Sequence, residues 1–460
     1  MARPDPRSGA AQPESHVPAV GRRAGSVVFL SLVGAATRVA LIGVTLANAV
    51  ILARVLGPRG VGEFFLLAQV VAILAVVGEG GLSHSAAAFF GRSPLESSYM
   101  HGLMLRILSV SVTVTLVIAA AILTQVRDLV LPDFRVELLW IAFATVPFAV
   151  YANVWIAMMA SLGRIAETSA VLLASAGLWL GLTGLLVVGL KGGVLVAALA
   201  YGALAGQALV MVVVARRYIG PPRRAGRPAP RTASQFISFA ARAFPGAIAH
   251  QLWQRMPVFF LNAFYGPAQV GVFSTAQQLV QRTLLPVVAM QSATYNEMST
   301  LSRPASTAAV NRYVRFCWWG MIFVGAIGIA LASPIVETLL SDRYRSAVPV
   351  IQILLPGAVF SACALLLDAF FLNQLHRPGL LSALAGLQVL LVVALGLLLI
   401  PAWGLAGAAI SLLVTQVLGS LLYARWHLDC TGSRVGDLIS LRRSDARTAR
   451  RKFTRLRSRG

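Results

Sequence analysis

The sequence predicts an all-α polytopic membrane protein with twelve transmembrane helices in two parallel six-helix repeats. Three observations predict it. The 460 residues are 57% hydrophobic and only 12% charged, with a mean hydropathy of +0.77. Soluble chains carry about 25% charge, and this much apolar surface finds burial only in a bilayer. Apolar runs of about 20 residues, the length of one crossing, recur along the chain. Finally, Gly57-Pro58-Arg59-Gly60-Val61-Gly62-Glu63-Phe64, with Gln69 and Val71 beyond it, returns 209 positions later as Gly266-Pro267-Ala268-Gln269-Val270-Gly271-Val272-Phe273, followed by Gln278 and Val280.

Each copy of that motif sits between two apolar runs, so the repeated unit is a helix, a tight Gly-Pro turn and a returning helix. The expected spans are 27–53, 64–91, 102–124, 137–160, 165–189 and 193–215, then 236–263, 268–296, 313–333, 347–375, 379–400 and 404–426. The duplication continues past the turn: Gln207, Leu209, Ala215 and Arg216 recur as Gln416, Leu418, Ala424 and Arg425, and Gly193 and Ala197-Ala198 recur as Gly404 and Ala408-Ala409. With six helices in each half, the repeats are parallel and related by an axis along the membrane normal. The expected organisation is a disordered cytoplasmic tail over 1–24, a six-helix bundle over 25–215, a basic cytoplasmic linker over 216–235, a second bundle over 236–426 and a basic, disordered or amphipathic cytoplasmic tail over 427–460.

The net charge of +23 reads as a topology signal, with no nucleic-acid partner, because the basic residues gather at the two ends and in the central loop. With a cytoplasmic N-terminus, 27 Lys and Arg fall on the inner side and 7 on the outer. That asymmetry places both termini inside a multi-pass protein of the cell membrane. Trp140, Trp318, Trp319, Trp403 and Trp426 mark helix ends at interfacial level. Cys317, Cys363 and Cys430 lack metal-ligand spacing, and the intramembrane histidines His84 and His250 lack a matching ligand set. No metal and no cofactor is expected.

The residues Ala53-Arg54-Val55-Leu56-Gly57-Pro58, leading to Gly78-Glu79-Gly80-Gly81-Leu82, resemble the opening of polysaccharide and O-antigen (Wzx-like) flippases of the multidrug/oligosaccharidyl-lipid/polysaccharide (MOP) superfamily. Tyr265-Gly266-Pro267-Ala268-Gln269-Val270-Gly271-Val272-Phe273 and Ile400-Pro401-Ala402-Trp403-Gly404-Leu405-Ala406-Gly407-Ala408-Ala409 share the likeness, which runs from about residue 25 to 426. The resemblance implies a fold like the multidrug and toxic compound extrusion (MATE) transporters. It also implies movement of polyprenyl-diphosphate-linked sugars from the cytoplasmic to the outer leaflet.

Charges inside the hydrocarbon are costly and usually face a partner or a wet cavity. Arg38 and Arg282 are expected near the midplane, Gln278 lies one turn before Arg282, and Arg255 shares a helical face with Gln251 and Asn262. Arg242, six residues inside its expected span, either joins this cavity or snorkels to the interface. Guanidinium groups grip a diphosphate through paired N–H donors, so Arg38, Arg255, Arg282, Arg242, Gln251 and Gln278 are the candidate substrate-binding set. Glu79 and Asp368 are candidates for binding H+ or Na+ in a coupling cycle, or for neutralising an arginine. Five intrahelical arginines against two deep carboxylates favour an anionic substrate over the cationic cargo of a cation-coupled drug exporter. A membrane-embedded enzyme is disfavoured by the lack of any Asp-x-Asp pair and by short outer loops. The alternatives left open are that exporter and a non-transporting scaffold of a polysaccharide assembly complex. Expected partners are lipid-linked oligosaccharide, membrane lipids, H+ or Na+ as coupling ion, and the polysaccharide polymerase and export machinery.

Overall fold

The computed structural model describes residues 24–90, 94–130, 134–162, 164–189, 193–202, 204–219, 230–288, 290–291, 301–373 and 378–440. The expected tail up to residue 23, the central linker over 220–229 and the tail beyond 440 lie outside the described residues. Every long element is helical: α1 (Ala24–Glu79), α2 (Leu82–Phe89), α3 (Pro94–Val130), α4 (Val136–Ser161), α5 (Ile165–Thr183), which runs into a π-helical turn at Gly184–Gly189, α6 (Val194–Gly202) and α7 (Leu204–Ile219). The second half holds α8 (Pro230–Tyr265), α9 (Pro267–Thr283), α10 (Arg303–Ala330), α11 (Ala332–Leu339), α12 (Ala347–Asn373), α13 (Pro378–Thr431) and the short α14 (Val435–Ile439). The protein is an all-α polytopic membrane protein.

Glycines rather than prolines set the corners. Gly57 breaks α1 with φ 67° and ψ 179°, and Gly266 separates α8 from α9 with φ 78° and ψ 179°. The two copies of the repeated turn thus adopt one backbone conformation, with a positive φ that only glycine takes freely, followed each time by a proline already set for the first helical turn. Gly404 breaks α13 in a comparable place, with φ 52° and ψ −122°. A Cβ on Gly407 would lie 2.2 Å from the Leu399 carbonyl oxygen, so the chain doubles back there. Pro147, Pro245 and Pro356 lie inside continuous helices.

Among the described residues, seven helical segments are long and apolar enough to cross a bilayer, and two of these, Ala40–Glu79 and Gly379–Thr431, contain the Gly57 and Gly404 corners. Neither α8 nor α9 is among them: α9 is only 17 residues long, and both carry glutamine and arginine along their length. A polar helix is stable at membrane depth only where protein or a wet cavity covers it, which marks α8 and α9 as interior elements. The lipid-facing surface lies elsewhere: Leu398, Leu390, Val213, Phe323 and Trp140 are each more than 60% exposed.

The apolar members of the repeat anchor the core. Val61, Phe64 and Val71 are buried in one half, and Val270, Phe273 and Val280 in the other. Phe64 stacks on Trp179 with centroids 6.2 Å apart and meets Tyr201 edge-on at 5.6 Å. The halves meet through the repeat itself. A Cβ on Gly62 would lie 1.7 Å from the Pro267 carbonyl oxygen, and one on Gly271 would lie 1.9 Å from that of Pro58. This reciprocal, backbone-to-backbone contact closes the end of the molecule that carries Gly57 and Gly266. Beside it, Glu63, almost wholly buried, pairs with Arg59 at 3.5 Å and Arg135 at 3.3 Å, and Arg54 donates to the Leu339 carbonyl at 2.9 Å and to that of Thr338.

The first part of the expected C-terminal tail is ordered. Residues 427–440 dock on α10: His427 Nε2 meets Asn311 Oδ1 at 2.7 Å, Asn311 Nδ2 donates to Ser433 Oγ at 3.1 Å, the Trp319 indole N–H donates to the Ile439 carbonyl at 2.9 Å, and Arg315 donates to the Asp437 carbonyl. Leu438 is buried beneath the segment. Polar side chains on α10 offering donors to its backbone carbonyls explain why this stretch folds back. Leu438→Ala removes its apolar anchor, worth about 2–5 kcal/mol in a packed site. Trypsin cleavage after the exposed Arg434 is expected to accelerate at least tenfold in that variant, with other cleavages unchanged; unchanged cutting at Arg434 would show that Leu438 does not hold the segment down.

Candidate functional site

The site lies where the second part of α1 meets α8 and α9. Gln69 is eleven residues from Pro58 and Gln278 eleven from Pro267, so each stands about 16 Å down its helix from the closed end. Arg255 is ten residues before Tyr265 on α8, about 15 Å from the same end. That depth is the middle of a hydrocarbon core about 30 Å thick.

These side chains surround a cavity of about 90 Å³ lined by Gln69, Gln254, Arg255, Ser274, Gln277, Gln278 and Gln281. Five carboxamides, one hydroxyl and one guanidinium form the wall, and among the described residues no carboxylate lines it. Arg255 Nε and Nη2 donate to Gln251 Oε1 at 3.1 and 2.8 Å, one helical turn away, while Nη1 donates to Oε1 of Gln69 on α1. Gln277 Nε2 donates to the Gln254 carbonyl at 3.3 Å, and Gln254 Nε2 lies 3.3 Å from His250 Nε2. A carboxamide both donates and accepts, so this wall complements hydroxyl-rich cargo and fixes the guanidinium without neutralising it.

The expected site residues divide accordingly. Arg255 and Gln278 line the cavity, and Gln251 holds Arg255 from one turn away. Arg282 is half-buried one turn beyond Gln278 and is not in the lining. Arg242 is exposed, thirteen residues from Arg255 on the same helix, so about 20 Å away, which matches the snorkelling position and not the cavity. The side chain of Arg38 lies outside the described residues. Glu79, expected near the middle of its span, is instead the last residue of α1, because the helix starts at the Gly57–Pro58 corner, about 32 Å away. There its Oε1 accepts the Ser83 backbone N–H at 3.2 Å, capping α2 where Gly80 and Gly81 turn the chain with positive φ. Asp368 lies far along α12 and accepts from the Tyr423 hydroxyl at 3.3 Å, away from the cavity lining. Among the described residues no group of three or more His, Cys, Asp and Glu side chains is arranged to hold a metal.

Gln69, Gln254, Ser274, Gln277 and Gln281 were not singled out as site residues from the sequence. For Gln69 the signal was present in the repeat, since Gln69 and Gln278 are partners at the 209-residue offset and both face one cavity at the junction of the halves. Gln277, Gln278 and Gln281 form a polar stripe at helical spacing on α9 that carries no formal charge, and a search for buried charges passes over it.

The profile of the family described as "Polysaccharide biosynthesis protein" matches residues 27–302. The chain belongs to this polysaccharide biosynthesis family. A related protein from Haloferax volcanii, described as the probable low-salt glycan biosynthesis flippase Agl15, is 21% identical over 378 residues, 81% of this chain and 78% of its own. Among solved structures, a multidrug resistance MATE transporter of the MOP superfamily in an inward-facing conformation superposes with a TM-score of 0.66 at 17% identity, covering 87% of this chain and 98% of that one. A MOP superfamily transporter from Pyrococcus furiosus, whose binding pocket is described as of reverse polarity, gives 0.66 at 17% identity over 88% and 95% of the two chains. At that identity the likeness establishes the fold, which is that of MATE and MOP transporters, for this member of the polysaccharide biosynthesis family.

Proposed function

We propose that the protein flips a polyprenyl-diphosphate-linked oligosaccharide from the cytoplasmic to the outer leaflet for cell-surface polysaccharide biosynthesis, by alternating access of its two halves. The observation that carries this reading is a midplane cavity whose one charged lining residue is Arg255 and whose other walls are carboxamides and a hydroxyl. A cationic drug would meet a positive charge there. A diphosphate gains charge-assisted hydrogen bonds, sugar hydroxyls find amide partners, and the polyprenyl chain stays in lipid. Family membership and the Haloferax volcanii relative point to the same substrate class.

In this reading the protein sits in the cell membrane with both termini cytoplasmic, so the Gly57/Gly266 end faces outward and the cavity communicates with the cytoplasmic side. The halves are 25–215 and 236–426, joined by the basic linker 216–235. Arg282, one turn beyond Gln278 and so nearer the cytoplasmic entrance, attracts the diphosphate on entry, and Arg38 belongs to the proposed set by its place in the sequence. Asp368, which accepts the Tyr423 hydroxyl, is the better candidate of the two carboxylates for H+ or Na+, since Glu79 is engaged in capping a helix. The polymerase and export machinery would receive the flipped glycan.

Deleting the gene tests this directly: lipid-linked glycan is expected to accumulate on the cytoplasmic leaflet and surface glycan to fall, both restored by the wild-type gene. Surface glycan that persists, with no accumulation, would count against flipping. Within that assay Gln278→Leu is expected to slow export about tenfold, the loss of roughly one net hydrogen bond. Arg242→Gln, outside the cavity, is expected to export within twofold of wild type; equal defects in both variants would argue that the cavity is not the substrate path.

A further inference from the structure

We infer that Gln69 is a surrogate ligand that clasps Arg255 across the two halves, and that the substrate's phosphate displaces it to release them. The inference rests on the substrate class proposed above, and its geometry stands on the hydrogen bonds of Arg255. Two donors, Nε and Nη2, are spent on Gln251, one turn back on the same helix. They hold the guanidinium plane fixed to the second half. The remaining contact, from Nη1, crosses to Gln69 on α1 in the first half. A guanidinium has five N–H donors, so three are engaged and two stay available.

A phosphate oxyanion is a stronger acceptor for a guanidinium than a neutral carboxamide oxygen, and it binds in a fork that uses two parallel N–H groups. The bond to Gln69 is the one it can replace without disturbing the Gln251 bonds that keep Arg255 aimed. Replacing it removes the hydrogen bond that ties α1 to α8 at mid-depth, seven residues below Gly62 and its contact with Gly271. Occupancy would then loosen the junction of the halves at its centre, which is the differential interaction a ligand needs to shift a conformational equilibrium. The repeat supports the assignment: Gln278, the partner of Gln69 at the 209-residue offset, lines the same cavity but makes no such crossing bond to Arg255, so the clasp is an asymmetric use of a symmetric pair.

The test uses full-length protein in liposomes, with spin labels on Val55→Cys and Ala268→Cys at the closed end in a background lacking Cys317, Cys363 and Cys430. The ligand probe is geranylgeranyl diphosphate. In wild type the ligand is expected to broaden the inter-label distance distribution. Gln69→Ala is expected to show that broadening before ligand is added and to bind the probe three- to tenfold more tightly, because the competitor is gone. Gln69→Glu, which turns the clasp into an ion pair, is expected to bind at least tenfold more weakly and to stay closed. Opposite signs from two substitutions at one site separate a clasp from a packing role. Weaker binding in both variants would make Gln69 a direct substrate contact and overturn the inference, as would a ligand-free Gln69→Ala distribution identical to wild type. If wild type fails to bind the probe at all, the diphosphate reading fails and displacement with it, whereas binding without any effect of Gln69→Ala defeats the clasp alone.

Discussion

Arg255→Leu is expected to reduce glycan export more than a hundredfold while leaving insertion and thermal stability close to wild type. A phosphate held by two charge-assisted hydrogen bonds loses about 3–6 kcal/mol when both are removed, at 1.5–3 kcal/mol each. That corresponds to a factor between about 10² and 10⁴. Stability should not fall in parallel, because a half-buried guanidinium at mid-membrane depth is a desolvation burden and its three bonds go to neutral glutamine oxygens. Arg255→Lys separates charge from geometry: an ammonium keeps the charge but cannot span Gln251 and Gln69 with a fixed fork, so an intermediate loss of about tenfold is expected. Export assayed beside a detergent melting curve decides the matter. A leucine variant that exports normally would remove Arg255 from the mechanism, and one that melts far below wild type would make it a structural crossbeam.

The fold was legible from the sequence because its determinants are local and repetitive. Long apolar runs report membrane spans, and Gly-Pro at a 209-residue spacing reports two identical corners, which the matching φ and ψ of Gly57 and Gly266 bear out. Arg255 and Gln251 were legible as a pair because four residues make one helical turn, and the structure bonds them. Depth was less legible. Glu79 falls at mid-span if the helix begins at 64, but Pro58 is compatible with a first turn, so the helix begins earlier and carries Glu79 to its far end. Which helices meet was not legible at all. The repeat implied corresponding corners in separate bundles; nothing in the sequence alone says that Gly62 and Gly271 touch, and so that Gln69 and Gln278 share a cavity. The docked segment over 432–440 was hidden for a related reason, since its partners Trp319 and Arg315 lie more than a hundred residues away.

Gly62→Ala and Gly271→Ala are each expected to destabilise this state by more than about 4 kcal/mol, beyond the range of ordinary substitutions. A carbon normally approaches a carbonyl oxygen no closer than about 3.3 Å, whereas the new Cβ would lie 1.7 Å from the Pro267 oxygen at Gly62 and 1.9 Å from the Pro58 oxygen at Gly271. Neither neighbour is a side chain that could rotate away, so the helices must separate. Small residues permit such close backbone approach between membrane helices, and nothing larger substitutes. Because the contact is reciprocal, either alanine forces the same separation, and the double variant should cost little more than one of them, a non-additivity expected of residues in direct contact. Gly266→Ala is the contrasting case: it has open space around it, so only the backbone conformation, φ 78° with ψ 179°, is penalised, at about 1–3 kcal/mol. Gly43→Ala, also with nothing within 4 Å, should melt like wild type. Melting curves with the Val55→Cys and Ala268→Cys labels should show a lowered transition and a widened end in both single variants. Additive losses would mean that two separate contacts had been broken, and the shared junction of the repeats would have to be abandoned.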